Sequence, residues 1–211
     1  MSGRVDAAQP EPSGDLHDVE RALRAFQRVP TRESGKSAAV AIALAPAADG
    51  TWCFPLTLRS SGLRAHAGQY ALPGGRISPG ESPLEAAVRE TEEELGLAAE
   101  SWQRHYLLDD YLTRSGHVIT PVVLLTDRPA AQLQPDPGEV ADAFYVRLGE
   151  LGAVEPRAAY DDSANRAFAI HVGPLVIFAP TGALLLQFRD LAIAGKTTRV
   201  QDVGEPVFAW A

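Results

Sequence analysis

Gly75-Arg76-Ile77-Ser78-Pro79-Gly80-Glu81 runs into Ser82-Pro83-Leu84-Glu85-Ala86-Ala87-Val88-Arg89-Glu90-Thr91-Glu92-Glu93-Glu94-Leu95-Gly96, and the reading of the fold turns on this stretch. Ser82 is suited to an N-cap, Pro83 to the first helical position, and Glu85 completes a capping box three residues after the cap. Gly96 supplies the residue that best tolerates a left-handed C-terminal turn. A helix over 82–95 is therefore bounded at both ends. At about 100° per residue, Leu84, Ala87, Val88, Thr91 and Leu95 share one face, which should pack on a sheet. Glu90, Glu93 and Glu94 gather on the adjacent face. Arg89 stands one turn before Glu93 and can pair with it, while Glu85 and Glu92 point away. Three carboxylates near a helix C-terminus repel one another and the partial negative charge there. A bound divalent cation would relieve that conflict, and an all-oxygen carboxylate set suits Mg²⁺ or Mn²⁺.

Working outward, Leu16, Val19, Ala22, Leu23 and Phe26 recur at helical spacing within 15–27, after a polar leader over 1–14 that is expected to be flexible. Residues 30–36 read as a linker, 37–44 and 52–58 as strands joined by the turn-rich 45–50, and 72–81 as a loop. Strand-like runs follow at 106–113, 118–126, 140–148, 168–171 and 175–178, with a Pro-rich loop over 129–138. Thr181 is expected to cap a last helix whose Leu184, Leu185, Phe188 and Leu191 form one apolar stripe. Strands, a helix, more strands and a second helix predict an α/β domain over 15–211, a mixed β-sheet sandwiched between helices.

Composition narrows the function classes. The 211 residues are 45% hydrophobic and 22% charged, as in an ordinary globular chain. With 19 basic against 27 acidic residues the net charge is −8, which disfavours broad nucleic-acid binding while leaving room for a local basic pocket. Cys53 is the single cysteine, so an intrachain disulfide, a Cys-based zinc site and a redox pair are excluded. No stretch of apolar residues is long enough to span a membrane, and none near the start reads as a signal peptide; the expectation is a cytoplasmic protein.

The spacing of Gly75, Glu81, Arg89-Glu90, Glu93-Glu94 and Gly96, with Leu97 in the last apolar slot, resembles the Nudix box of the Nudix hydrolase superfamily. Thr91 stands where a larger aliphatic is more usual. The resemblance implies a Nudix fold and hydrolysis of a nucleoside diphosphate linked to another group. It implies that Glu90, Glu93 and Glu94 bind metal together with the Gly75 carbonyl, that Arg89 orients the glutamates, and that Glu81 supports them. Glu93 or Glu94 would take a proton from the attacking water, unless a carboxylate elsewhere in the chain does so. Glu139 and Asp142, at the start of a strand, are the candidates for such a distal group; three apart on a strand, they point to opposite faces, and Glu139 is preferred.

Upstream, Leu56-Thr57-Leu58-Arg59-Ser60, then Arg64, Gly68 and Leu72-Pro73-Gly74-Gly75, resembles the additional signature of the coenzyme A pyrophosphatase branch, with Pro55 and Leu72 departing from it. Ser115–Val123 is similar to the strand following the box in that branch. The implied substrates are coenzyme A and acyl-CoA, cut to 3′,5′-ADP and (acyl-)4′-phosphopantetheine, with Arg59, Arg64 and Gly74 at the substrate. Guanidinium groups match phosphate oxygens in fork geometry. His66 either contacts phosphate or is a partly buried loop residue. The segment Ile177–Gly182 and the tail Lys196–Ala211, with Trp210, have no counterpart in that branch; Trp210 packs on the core, stacks on a base or meets a second subunit. Two other readings compete: a Nudix enzyme for another nucleoside diphosphate derivative such as ADP-ribose or a dinucleotide, and a non-catalytic Nudix-fold module. A homodimer is a further expectation.

Overall fold

The computed structural model describes residues 15–31, 35–62, 67–154, 156–160 and 166–200. The leader, Arg64, His66 and Trp210 lie outside the described residues.

A period of two along the central strands separates two cores. In β1 (Lys36–Pro46), Ala39, Ala41 and Ala43 face one side, and Ile42 and Leu44 face the other. Its parallel partner β7 (His117–Leu125) repeats the division, with Val122 and Leu124 opposed to Val123 and Leu125. On the alanine face lies α2 (Pro83–Leu95), which offers Ala86 and Ala87 to those alanines. Small side chains on both partners let the helix settle close to the strand. The opposite face holds the larger core, where Val19 and Leu23 of α1 (Leu16–Ala25) and Leu184 and Phe188 of α4 (Thr181–Ala192) pack on Ile42, Leu44, Phe54 and Leu56.

The remaining strands complete a mixed sheet. β2 (Trp52–Arg59) runs antiparallel to the end of β1 and pairs with β3 (Tyr70–Ala71) and β8 (Val140–Arg147). β4 (Gly74–Arg76) pairs with the first half of β1, whereas β5 (Arg104–Leu107) and β6 (Tyr111–Leu112) pair with β7. A short helix α3 (Leu148–Gly152) precedes a separate three-stranded sheet of β9 (Pro156–Tyr160), β10 (Arg166–Val172) and β11 (Leu175–Phe178). Helices on both faces of a mixed sheet match the predicted α/β class. No described helix is long and apolar enough to cross a membrane.

Four local expectations need correction. The stretch 72–81 is not all loop, because Gly74–Arg76 forms β4 on β1. The strand expected over 106–113 is broken at residues 108–110. Pro121 on the facing strand has no N–H to donate, and its carbonyl takes the Leu108 N–H at 3.0 Å where the strand pairing stops. Thr181 does not cap the last helix. Pro180 occupies the N-cap with no side-chain bond, and its carbonyl receives Leu184 N–H, while Thr181 is buried inside the first turn. Finally, α4 is buried nearly all round rather than along one stripe, since core residues, α1 and the following segment enclose it.

The bulge at residues 108–110 turns two carboxylates inward. Asp109, with no exposed surface, accepts bonds from Arg199 Nη1 on both oxygens at 2.8 Å, from Gln187 Nε2 at 2.8 Å and from Val29 N–H at 2.7 Å. Asp110 is bound by Arg28, Thr31 N–H and Thr120 Oγ1. This clasp joins the segment after α1 to the segment after α4. It also places the first part of the tail, for Lys196 N–H bonds Asp190 O and Thr198 bonds Asp190.

Candidate active site

The helix ends form as the sequence predicts. Ser82 Oγ accepts Glu85 N–H at 3.2 Å, Glu85 Oε2 accepts Ser82 N–H at 2.8 Å, and Gly96 takes φ 68°. The following loop satisfies carbonyls the helix leaves open, with Asp136 N–H on Glu94 O and Gln134 N–H on Leu95 O, both at 2.9 Å. No sequence signal pointed to that clamp.

Two glycines let β4 fit between β1 and the helix. A Cβ on Gly74 would strike Ala39 O and Val40, and one on Gly75 would strike the Glu90 carboxylate. Gly74 thus lets β4 lie close on β1, and Gly75 leaves the space that the Glu90 carboxylate occupies.

Arg89 organises that face. Its Nε and Nη2 reach the two oxygens of Glu81 at 2.8 and 3.1 Å, and Nη1 reaches Glu90 Oε1 at 2.8 Å and Glu93 Oε2 at 2.9 Å. Nη2 also donates to the Arg76 carbonyl at 3.1 Å, an anchor the sequence did not reveal. The Arg89 guanidinium first, then Ser78 N–H, hold the Glu81 carboxyl down at about 2. So the expected Arg89–Glu93 pair forms, within a cluster that extends to Glu81 and Glu90.

The three glutamates do not form one exposed patch. Glu93 is on the outside, with 59% of its side chain exposed. Glu94 turns inward and is only 4% exposed, taking a long 3.4 Å bond from Gly74 N–H. Among the described residues, no three His, Cys, Asp or Glu side chains converge as a ready-made metal cage. Arg89 Nη1 holds Glu90 and Glu93 together, while Glu94 turns away from them into the interior.

Glu94 carries the electrostatic strain of the site. Burial pushes its carboxyl up to about 8; Glu90 and Glu139 add repulsion, and Arg59 and the Gly74 N–H pull it back only in part. Burial likewise raises Glu90, against the pull of Arg89 and with repulsion from Glu93 and Glu139. Glu139 thus lies close enough to act on both helix carboxylates. Its carbonyl accepts Ser60 N–H at 2.9 Å, which seats it beside the end of β2. Asp142 stands opposite Leu58 and accepts Ala143 N–H. Arg59, at the end of β2, faces Glu94, and its Nε is buried without a hydrogen-bond partner among the described residues.

Residues 36–168, a range that contains all of these side chains, match the model of the NUDIX domain. The chain belongs to the Nudix family. Nudix hydrolase 3 of Caenorhabditis elegans is 38% identical over 106 residues, covering 49% of this chain and 44% of its own. A protein of Photorhabdus laumondii described as an uncharacterized Nudix hydrolase NudL is 41% identical over 96 residues, covering 45% of this chain and 51% of its own. A solved Nudix hydrolase from M. smegmatis, RenU, aligns with TM-score 0.46 and 24% identity over 59% of this chain and 74% of that one. This Nudix chain spans about half the length of the curated relatives it matches.

Proposed function

We propose that this Nudix chain hydrolyses the diphosphate bond of coenzyme A or acyl-CoA, in a reaction that depends on Mg²⁺ or Mn²⁺ and yields 3′,5′-ADP and (acyl-)4′-phosphopantetheine. One observation carries the reading: Glu94 is a buried carboxylate, crowded by Glu90 and Glu139, whose burial Arg59 offsets only in part. Such a group is costly unless a cation joins it.

The donor set fits a hard divalent cation, being all oxygen and drawn from Glu90, Glu94 and the Gly75 backbone packed on Glu90. Glu93 is the remaining carboxylate of the proposed metal-binding set. When bound, the ion neutralises diphosphate oxygens and lowers the pKa of water. The chain's own residues do the rest. Arg89 holds Glu90 and Glu93 in register, and Glu81, kept ionised, fixes the guanidinium from the far side. Glu93 is open to solvent with Oε2 on Arg89, which leaves Oε1 to take the proton of the attacking water. Glu94 is the alternative base, and the charge that Glu139 exerts on Glu90 and Glu94 supports it as the distal carboxylate of the proposed set.

For the substrate, the support is Arg59. It ends the strand that bears the coenzyme A-type signature, its charge acts on Glu94, and it keeps an unmatched buried N–H among the described residues. A phosphate oxygen would satisfy that donor. Arg64 and Gly74 complete the proposed substrate set.

The test is a panel of diphosphate substrates with Mg²⁺ or Mn²⁺ and products identified by mass. Release of 3′,5′-ADP from coenzyme A is the expected result. Turnover of ADP-ribose without turnover of coenzyme A would refute the substrate while keeping the metal face, and no turnover of any diphosphate would refute catalysis.

A further inference from the structure

Glu94 sits in the last turn of α2 and Glu139 just before β8, so no local periodicity sets one against the other. Asp136 supplies the connection. Its N–H donates to Glu94 O at 2.9 Å, and its own carbonyl accepts the N–H groups of Glu139 at 3.1 Å and Val140 at 2.8 Å. Backbone bonds thus lead from the peptide of Glu94 to the peptide of Glu139 through a single residue. Ser60 N–H on Glu139 O, at 2.9 Å, holds that peptide from the side of β2.

The Asp136 side chain closes the link. Its Oδ1 accepts the Gly138 N–H at 2.9 Å. Asp136-Pro137-Gly138-Glu139 is a tight turn built from favoured residue types, with Asp first and a proline second that presets φ. The bond from the first side chain to the third residue's N–H is one that Asp and Asn make and longer acids do not. Asp136 is exposed, so its carboxylate adds little to the core; what it restrains is the turn that ends on Glu139. Because the charge of Glu139 acts on both Glu90 and Glu94, a slackened turn would be felt at those carboxylates.

We propose that Asp136 is a positioning residue of the carboxylate cleft: it sets Glu139 against Glu94 by bonding the peptides of both and by pinning the turn between them. The inference rests on the metal-dependent reading above, in which Glu139 is the distal carboxylate.

Two changes of this one side chain separate geometry from charge. Asp136→Asn keeps the acceptor and drops the charge, whereas Asp136→Glu keeps the charge and moves the acceptor outward. Mn²⁺ binding to the full chain, without substrate, is read from the electron paramagnetic resonance of the free ion. Glu139→Gln should weaken Mn²⁺ about three- to tenfold, the pull of one partly screened charge on a divalent ion. Asp136→Glu should weaken it by a similar factor and Asp136→Asn by less than about twofold, since only the acceptor matters. Added to Glu139→Gln, Asp136→Glu should cost less than about twofold more, because both act through one group. With saturating Mn²⁺, kcat for coenzyme A should fall in the same order, and melting curves check that each variant is folded. The proposal is overturned if Glu139→Gln or Asp136→Glu leaves Mn²⁺ affinity unchanged, if Asp136→Asn loses as much as Asp136→Glu, or if the loss repeats in full on Glu139→Gln. A parent that binds no Mn²⁺ overturns the metal site and the positioning together. A parent that binds Mn²⁺ but leaves coenzyme A intact fails the substrate reading alone, and the Mn²⁺ comparison still decides Asp136.

Discussion

Taking the charge off Glu94 should stabilise the metal-free protein above neutral pH. The carboxyl titrates near 4.5 in an unfolded chain and is raised to about 8 in the fold, chiefly by burial. Between these values the folded state keeps a proton that the unfolded state has released, so stability falls as pH rises from 4.5 to 8. Below 4.5 both states are protonated, and well above 8 both are ionised, so the dependence is flat at either end. Integrated from pH 5 to pH 8, the loss is about 3–4 kcal/mol. For a chain of this size that is about 6–15 °C in melting temperature. Glu94→Gln keeps an acceptor for the Gly74 N–H but has no proton to lose, so this slope should vanish. Thermal melts of parent and variant in EDTA between pH 5 and pH 9 give the comparison. The difference should be small at pH 5 and favour the variant by several degrees at pH 8. Added Mg²⁺ or Mn²⁺ should close the gap by stabilising the parent alone. Parallel melting curves across the range would refute the argument that Glu94 is ionised at a cost.

Glu93→Gln preserves shape and the Arg89 contact through its amide oxygen but removes the proton acceptor, so turnover should fall roughly 10²-fold or more in single-turnover assays, without a change in melting temperature. Arg59→Ala should raise KM for coenzyme A about tenfold, the loss of one charge-assisted hydrogen bond, and leave 3′-dephospho-coenzyme A little affected. Equal losses on both substrates would remove Arg59 from the 3′-phosphate. Asp109→Ala strips the clasp of a fully buried carboxylate that holds Arg199, Gln187 and Val29 N–H, and should cost about 3–5 kcal/mol. Urea unfolding measures this, and a loss under about 1 kcal/mol would class the clasp with ordinary surface ion pairs.

Local signals in the chain were enough for α2, because its determinants lie within it: the Ser82–Glu85 capping box, Pro83 and the left-handed Gly96. The strands that carry the sheet were legible for a similar reason, since alternation of side chains is a property of the strand itself. The break at residues 108–110 was not, because it depends on a proline in a neighbouring strand and on carboxylates whose partners, Thr120 aside, lie 78 to 90 positions away in sequence. Thr181 misled because capping requires a backbone conformation, and the chain places Pro180 there instead.

By its own residue order, the sequence determined that Glu90, Glu93, Glu94 and Arg89 share one region of a helix, since 3.6 residues per turn allow nothing else. The tertiary structure alone decided that these carboxylates are unlike. Packing against the glycine strand buries Glu94 beside Arg59 and within reach of Glu139, while Arg89 keeps Glu93 at the surface. Burial and long-range charge arise only when β2, β4, α2 and β8 are brought together, and no periodicity along one helix encodes them.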